Sequence, residues 1–336
     1  MNRSPKRVNI KDVAAAAEVS IATVSRVLNG KTEHIKPDTE KRVLKVVDEL
    51  GYVPNEIARS LKISQSSRTI GLIVPCLDDI LSRVAEGVFA EAAERGYGVY
   101  VAMVKGEQTA ESCVRSLISR RAESIVFAAP GFAGVERILS NFSVPAVTLG
   151  YKYAASEGSS FGSVTIDNAA AAAEVARLAA ARGRKSIAYI TGNIEDSPAR
   201  ERYEGLMAGL AGSGIEFDEK MLVLCDYSPE SAFEAARQLF EGNKDIDCII
   251  CGDDAIAVGA MKYCAKNGIS VPQKVGVIGF GDCSAAKYLS PRLTTVRFDA
   301  EGTGRAAAKM LIDNRESEKP LGDVVFEHQL ISRKSI

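Results

Sequence analysis

The first sixty residues place apolar side chains with the period of a helix, in three separate runs. In NIKDVAAAAEV, Ile10, Val13, Ala14 and Ala17 fall at i, i+3, i+4 and i+7, with Asn9 placed to cap the first turn. In SIATVSRVLNG, Ser20 fits an N-cap and Val24, Val27 and Leu28 form the apolar stripe. In KPDTEKRVLKVVDELG the stripe is Val43, Val46, Val47 and Leu50; Pro37 suits the first helical turn and Gly51 the C-terminal stop. The turn around Glu18, Val19 and Ser20 is very short. Two short helices joined by a tight turn, with a third closing the core, form a helix-turn-helix arrangement. The outer face of the second helix carries Ile21, Ala22, Ser25, Arg26 and Asn29, small and hydrogen-bonding where a solvated face would use Lys and Glu. Such a helix enters the DNA major groove, where aliphatic groups meet thymine methyls and Ser and Arg bond to bases or phosphates. The plainer alternative is a helical bundle with one face exposed. In YVPNEIARSLKISQSSRT, Asn55 can cap a short helix with Ala58 and Leu61 on one side, before a linker of serines, Gln65 and Arg68. A helix this short is marginal in water, so it either forms against a partner or is a simple connector.

From residue 69 onward, short apolar runs alternate with amphipathic segments. Strands are predicted at 69–74, 97–104, 123–130, 145–150, 186–191, 221–225, 247–252 and 275–281. Helices are predicted at 80–95, 108–121, 168–182, 198–212, 229–241 and 254–267. This alternation makes an α/β body of parallel sheet with helices on both faces. There are more strands than one compact sheet needs, which predicts two doubly wound lobes. Ligands of such sheets bind at the carboxyl ends of the strands.

A length of 336 residues suggests two or three domains, and 46% hydrophobic with 25% charged residues is an ordinary globular composition. No apolar run approaches the ~18 residues of a membrane helix. The basic N-terminus is followed by no apolar segment and the seven cysteines are scattered, which predicts reduced thiols in the cytoplasm. The net charge of −1 hides an asymmetry: residues 1–62 hold twelve Lys and Arg against eight Asp and Glu, the remainder 30 against 35. A basic head on an acidic body fits a polyanion partner for the head alone. Gly279-x-Gly281 lacks the third glycine of a dinucleotide fingerprint. Cys248 and Cys251 should point to opposite faces of a strand, and only His34 and His328 could add to them, so neither zinc nor another cofactor is expected. No serine has a partnered histidine at a strand-to-helix elbow, which argues against an enzyme. The alanine run at 169–173 reads as helix packing. On the residues alone, a cytoplasmic small-molecule-binding protein or α/β enzyme with an incidental helical head is the second reading.

The stretches IKDVAAAAEVSIATVSRVLNG (10–30), DELGYVPNEIARSLK (48–62), VTIDN (164–168), DDAIAVGAM (253–261), VGVIGFGD (275–282) and SPRLTTV (290–296) together resemble the LacI/GalR family of bacterial transcription regulators. The resemblance runs from about residue 8 almost to the end. It implies a helix-turn-helix head over 1–53, a hinge helix and linker over 54–68, and a two-lobed body over 69–336 like type I periplasmic binding proteins. The expected lobes are about 69–163 with 297–322, and 164–296 with 323–336, with crossovers near 163–166, 296–299 and 322–326. It further implies base contacts at Ile21, Ala22, Ser25, Arg26 and Asn29, and phosphate or docking roles for Asn9, Thr23, Thr39, Tyr52 and Asn55. The hinge helices of two subunits, carrying Ala58 and Leu61, would pair in the minor groove, with Leu61 wedged into a base step. Glu18 replaces the family's usual glycine or asparagine in the turn, and Lys36 stands where a serine cap is usual. The implied protein is a homodimer, most often a repressor, on a pseudo-palindromic operator, controlled by a small-molecule effector or by a protein co-regulator.

For the effector, Tyr227 follows a strand and could stack on a ring. Arg202 and Asp253 match family effector positions, and Asp196 and Ser197 lie just before Arg202. Asp282 reads as structural. Gly150 and Gly281 stand where many sugar-binding members have aspartates, and VPCLDDILSR lacks the usual aromatic pair near Ile80 and Leu81. A simple sugar is therefore the less natural effector, and the class is left between carbohydrate and nucleobase-like.

Overall fold

The structure is a computed structural model that describes residues 8–28, 30–52, 66–129, 131–152, 160–195, 197–242 and 245–336. The chain divides into two compact units, 1–67 and 68–336. The predicted hinge residues Asn55, Ala58 and Leu61, together with Asn29 and Asp196, lie outside the described residues.

The small unit contains α1 (Ile10–Ala16), α2 (Ile21–Leu28) and α3 (Pro37–Glu49). Asn9 caps α1 reciprocally with Asp12: its Oδ1 accepts from the Lys11 and Asp12 amides, and the Asp12 carboxylate accepts from the Asn9 amide at 2.8 Å. The Ser20 hydroxyl accepts from the Thr23 amide at 3.1 Å, as its N-cap position predicts. Lys36 gives α3 no side-chain cap, so that helix begins on Pro37 alone. Glu18 sits in the left-handed region at φ 53°, which explains why glycine or asparagine suits this turn better. Val13, Ala14, Ala17, Val24, Val27, Val43 and Val46 form the buried core, with Val47 packed at its edge. Leu50, expected in the third stripe, is exposed; it is the C-cap of α3, beyond the last turn that faces the core.

The large unit holds two six-stranded sheets. The first has the order β11-β5-β4-β3-β1-β2 and is parallel throughout: β1 (Thr69–Val74), β2 (Gly98–Met103), β3 (Ser124–Phe127), β4 (Ala146–Leu149), β5 (Phe161–Ile166) and β11 (Asp323–Phe326). The second has the order β12-β10-β9-β8-β6-β7: β6 (Ile187–Thr191), β7 (Leu222–Leu224), β8 (Cys248–Cys251), β9 (Gly276–Phe280), β10 (Thr294–Phe298) and β12 (His328–Ile331). It is parallel except for β12, which runs antiparallel to β10.

Each sheet separates two apolar cores, one per face. In the first lobe, α4 (Asp79–Glu94) and α11 (Ala300–Ser317) cover one face, and α5 (Ala110–Ser119) and α6 (Phe132–Asn141) the other. In the second lobe, α7 (Asn168–Ala181) and α8 (Ser197–Gly212) cover one face, and α9 (Pro229–Gly242) and α10 (Asp254–Lys266) the other. Cys248 and Cys251 do fall in opposite cores. The alanine run of α7 packs on α8: a Cβ on Gly205 would come within 2.1 Å of the Ala169 carbonyl.

The chain passes between the lobes three times, at Asp167, Asp299 and Glu327. They lie at or just past the far ends of the crossovers expected near 163–166, 296–299 and 322–326, because β5, β10 and β11 each remain in their sheet to residues 166, 298 and 326. Asp167 and Asp299 cap the helices that follow, each accepting from an amide three residues on at 2.8 Å. These two crossings thus end strands and start helices in the same step, whereas the third passes from β11 directly into β12.

Candidate nucleic-acid interface and ligand cleft

On the small unit, the apolar stripe of α2 is used up by the core, and its other side faces outward. Ile21 is 43% exposed, and Ala22 and Arg26 are exposed beside it. Thr23 and Ser25 are half-buried, and the Thr23 hydroxyl lies 2.9 Å from that of Ser20. Thr39 is half-buried in the first turn of α3, and the Tyr52 ring packs partly against the core. The expected face is therefore presented by Ile21, Ala22, Ser25 and Arg26, while Asn9 and Thr23 also hold helix starts. A side chain longer than alanine at position 22 would keep the backbone of α2 from approaching a surface closely.

On the large unit, a cleft of about 670 Å³ opens between the lobes at the carboxyl ends of the strands. Of the expected effector residues, Arg202, Tyr227 and Asp253 line it. Ser197 is the first residue of α8. Gly150 and Gly281 both line the cleft, so the missing carboxylates leave bare backbone there.

Arg202 is held in place before any ligand arrives. Its Nη1 donates to the Gly252 carbonyl at 2.7 Å and its Nε to the Pro198 carbonyl at 3.1 Å, and the guanidinium lies 4.6 Å from the Phe280 ring centre. Tyr227, 46% exposed, rests on the backbone of Gly192, where a Cβ would come within 2.4 Å of the ring. Asp253 caps α10, its Oδ1 accepting from the Ala255 amide at 2.6 Å.

Burial pushes the Asp253 carboxyl up to about 7; Asp254 and Asp78 add to this, and the Ala255 amide and Arg202 oppose it. The folded value exceeds the ~3.9 of an unfolded aspartate. The neutral carboxyl therefore supports the fold below about pH 4, and that support fades as pH rises toward 7. Asp253→Asn keeps the capping oxygen. Its melting temperature relative to the parent is expected to rise between pH 4 and pH 7 and level off above, read by thermal unfolding over a pH series. A constant difference would mean that Asp253 titrates normally.

Residues that sequence reasoning missed are largely caps and strand ends. Asp78 caps α4 by accepting from the Leu81 amide at 2.8 Å. Asn168 donates to the Gly150 carbonyl at 3.2 Å and to Glu201 at 2.9 Å, joining the end of β4 to α8. Phe280 and Phe298 line the cleft at the ends of β9 and β10, where strand-end counting alone could have found them. Asp282 is structural, as expected: it is clamped by Arg297 and Arg333, each at 2.6 Å. The carbonyls of Gly281 and Asp282 take the Arg83 guanidinium from the opposite lobe, at 3.3 and 3.4 Å, and Asp79 accepts from the Ser284 amide at 3.1 Å.

A three-helix head with a small outward recognition face, joined to a two-lobed α/β body with a ligand-sized cleft, defines a transcriptional regulator rather than an enzyme. Residues 9–55 match the model of the lacI family of bacterial regulatory proteins, and residues 176–336 match a periplasmic binding protein-like domain. The chain is 31% identical to the HTH-type transcriptional regulator RegA of Clostridium saccharobutylicum, over 97% of this chain and 98% of that protein. It is 30% identical to the HTH-type transcriptional repressor PurR of Erwinia tasmaniensis, over 97% and 96% of the two chains. A crystal structure of the lac repressor dimer bound to operator and the anti-inducer ONPF superposes with a TM-score of 0.86 at 26% identity, covering 98% of this chain and 99% of that one. The chain belongs to the lacI family of bacterial regulatory proteins. The reading as an enzyme or carrier with an incidental head is set aside.

Proposed function

We propose that the protein is a homodimeric repressor that reads a pseudo-palindromic operator through α2 and is controlled by a small molecule bound in the interlobe cleft. The observation that carries the DNA reading is the outward face of α2, with Ile21, Ala22 and Arg26 exposed while Val24 and Val27 close the core. Ile21, Ala22, Ser25, Arg26 and Asn29 would meet base edges. Thr23, Thr39, Tyr52 and Asn55 would position the head on phosphates, and the Asn9 Oδ1 is taken up by its cap, so its Nδ2 would meet the backbone. Ala58 and Leu61 would serve the hinge. Arg202, Tyr227 and Asp253, with Asp196 and Ser197 at the adjoining loop, would contact the effector. Dimerisation is supported by apolar side chains on the edge strand β2, where Tyr100, Val101 and Met103 are exposed, with Phe89 on α4. The protein would act in the cytoplasm on chromosomal DNA, with a protein co-regulator as the other possible means of control.

The test is selection of bound fragments from a genomic DNA library, followed by a salt titration on the selected site. The logarithm of affinity is expected to fall linearly with the logarithm of salt, at a slope near 0.9 per phosphate neutralised. Arg26→Ala is expected to weaken the selected site by roughly 1–3 kcal/mol if the guanidinium reads a base. Failure to enrich any fragment at low salt would reject the DNA reading.

A further inference from the structure

We propose that the first turn of α4 and the loop 281–284 form a latch that ties the two lobes together before any ligand is bound, so that the free chain rests in one lobe arrangement. The latch concerns the body alone; its bearing on the head rests on the reading given under Proposed function.

The loop is built as a rigid receiver, and its backbone groups divide by direction. The amides of Gly281, Asp282 and Cys283 turn inward, donating to the Val296 carbonyl at 2.7 Å, the Thr295 hydroxyl at 3.3 Å and the Asp254 carboxylate at 2.6 Å. The carbonyls of Gly281 and Asp282 and the amide of Ser284 turn the other way, and all three meet the opposite lobe. Two successive positive φ angles, 129° at Gly281 and 50° at Asp282, carry the chain through this division. Behind the loop stands a costly group. Asp254 is 1% exposed, and its other oxygen accepts from the Thr295 hydroxyl at 2.6 Å. A carboxyl buried this deeply opposes folding unless it is hydrogen-bonded, and here its bonds go to the loop and the strand beside it. Arg297 and Arg333 hold the loop from the side through Asp282.

The other half is equally fixed. A Cβ on Gly87 would fall 2.0 Å from the Glu301 carbonyl oxygen, so α4 lies directly on α11 of its own lobe. Asp79, Ile80 and Arg83 meet the loop from one side of the helix.

Between two rigid halves the contact itself is light. One Arg83 nitrogen, Nη2, is shared among the carbonyls of Gly281 and Asp282, at 3.3 and 3.4 Å, and the Asp79 carboxylate, at 3.4 Å. The side chains of Arg83 and Asp79 are each 33% exposed. Bonds this long and this wet are individually weak, so together they can hold one arrangement and still release it. Ile80 lies beside them against Gly281, where a Cβ would come within 3.2 Å of its Cδ1, and both residues line the cleft. A ligand entering at that point meets the latch directly. Helix α4 follows β1, the first strand after the small unit, so the restrained lobe is the one through which the chain reaches the head.

The test is the distance between the lobes in the ligand-free full chain, read by double electron–electron resonance. Nitroxides are carried by a genetically encoded residue at exposed positions 107, beyond β2, and 230, in the first turn of α9, which leaves the seven cysteines untouched. Labelled chain is diluted with unlabelled chain. The parent should give one narrow distance distribution. Asp79→Ala with Arg83→Ala should broaden it and move it to longer distance, with a melting temperature recorded to confirm folding. Asp79→Asn, which keeps an acceptor for the Ser284 amide, should broaden it less than Asp79→Ala. If the double variant does not fold, Arg83→Gln is read in its place. An unchanged distribution in a folded variant, or a parent as broad as the variant, would overturn the latch. On a DNA fragment selected by the parent, the ligand-free double variant should differ in affinity by roughly fivefold or more. Equal affinity in a variant whose lobes have loosened would overturn the latch's part in control. A parent that selects no fragment would reject the DNA reading, and the distance measurement would still decide the latch.

Discussion

Val24→Asp is expected to abolish DNA binding while leaving the unfolding of residues 68–336 where it was. Val24 is fully buried and closes the core of the small unit with Val13, Val27, Val43 and Val46. That core is made of valines and alanines and has little to spare; a single core of this size rarely supplies more than about 3–5 kcal/mol. The side chains of the cluster that would surround the new carboxylate are apolar. Burying the charge costs several kcal/mol, of the order of the whole stability of the unit, and protonating it instead costs nearly as much near neutral pH. The large unit has its own four cores and none of these residues. Calorimetry should show the low-enthalpy transition of the head lost and the main transition kept. Val24→Ala, which removes two methyl groups, should cost about 2 kcal/mol and weaken binding without abolishing it. If Val24→Asp bound DNA normally, the reading surface would lie elsewhere than on α2.

The second large effect is expected at Gly304. A Cβ there would sit 2.0 Å from the Val84 carbonyl oxygen and 3.1 Å from the Val88 nitrogen. Gly87 makes the reciprocal approach, its Cβ falling 2.0 Å from the Glu301 carbonyl oxygen. Helices α4 and α11 therefore touch backbone to backbone. No rotamer change can relieve the overlap; the helices must move apart, and Val84, Val88, Ala308 and Leu311 lose their packing. Gly304→Val should destabilise the body by roughly 3 kcal/mol, read as a fall in melting temperature of about 6–12 °C for a unit of this size. Gly134→Ala is the control. It lies in α6 with nothing within 4 Å of the added atom, and should be neutral or stabilising by up to about 1 kcal/mol. Equal effects at the two positions would mean that helix propensity, not the close approach, governs Gly304.

The same glycines show where sequence reading stops. The helix 300–317 begins AEGTGR, and two glycines in its first turns hide the helical pattern. Gly304 is there because a neighbouring helix comes too close for any side chain, and Gly302 because the capping Asp299 carboxylate folds over it; the first reason is found only in the partner. Helix α6 was missed for a local cause: it starts from Gly131 in the left-handed region, with no side-chain cap to announce it. Strands with continuous apolar runs, and helices capped by Asn9, Ser20 or Asp253, were legible because their signals lie within a few residues. In the cleft, Arg202, Tyr227 and Asp253 were legible as strand-end or motif positions. That Asn168 beside them is tied to the Gly150 carbonyl and to Glu201 was not, since those partners lie 18 and 33 residues away in the chain.

The three crossings at Asp167, Asp299 and Glu327 make each lobe a patchwork of separate chain segments. Residues 68–166 carry five strands of the first sheet but lack β11, its sixth, and α11, which covers one face. Neither lobe could be produced alone as a continuous fragment with a closed core. A protease that nicked any single crossing would leave two peptide tethers and the sheets intact, so the cut protein should still run as one particle under native conditions. Exchange of ligand preference between relatives by recombination would, for the same reason, have to move both lobes together or proceed by single substitutions in the cleft.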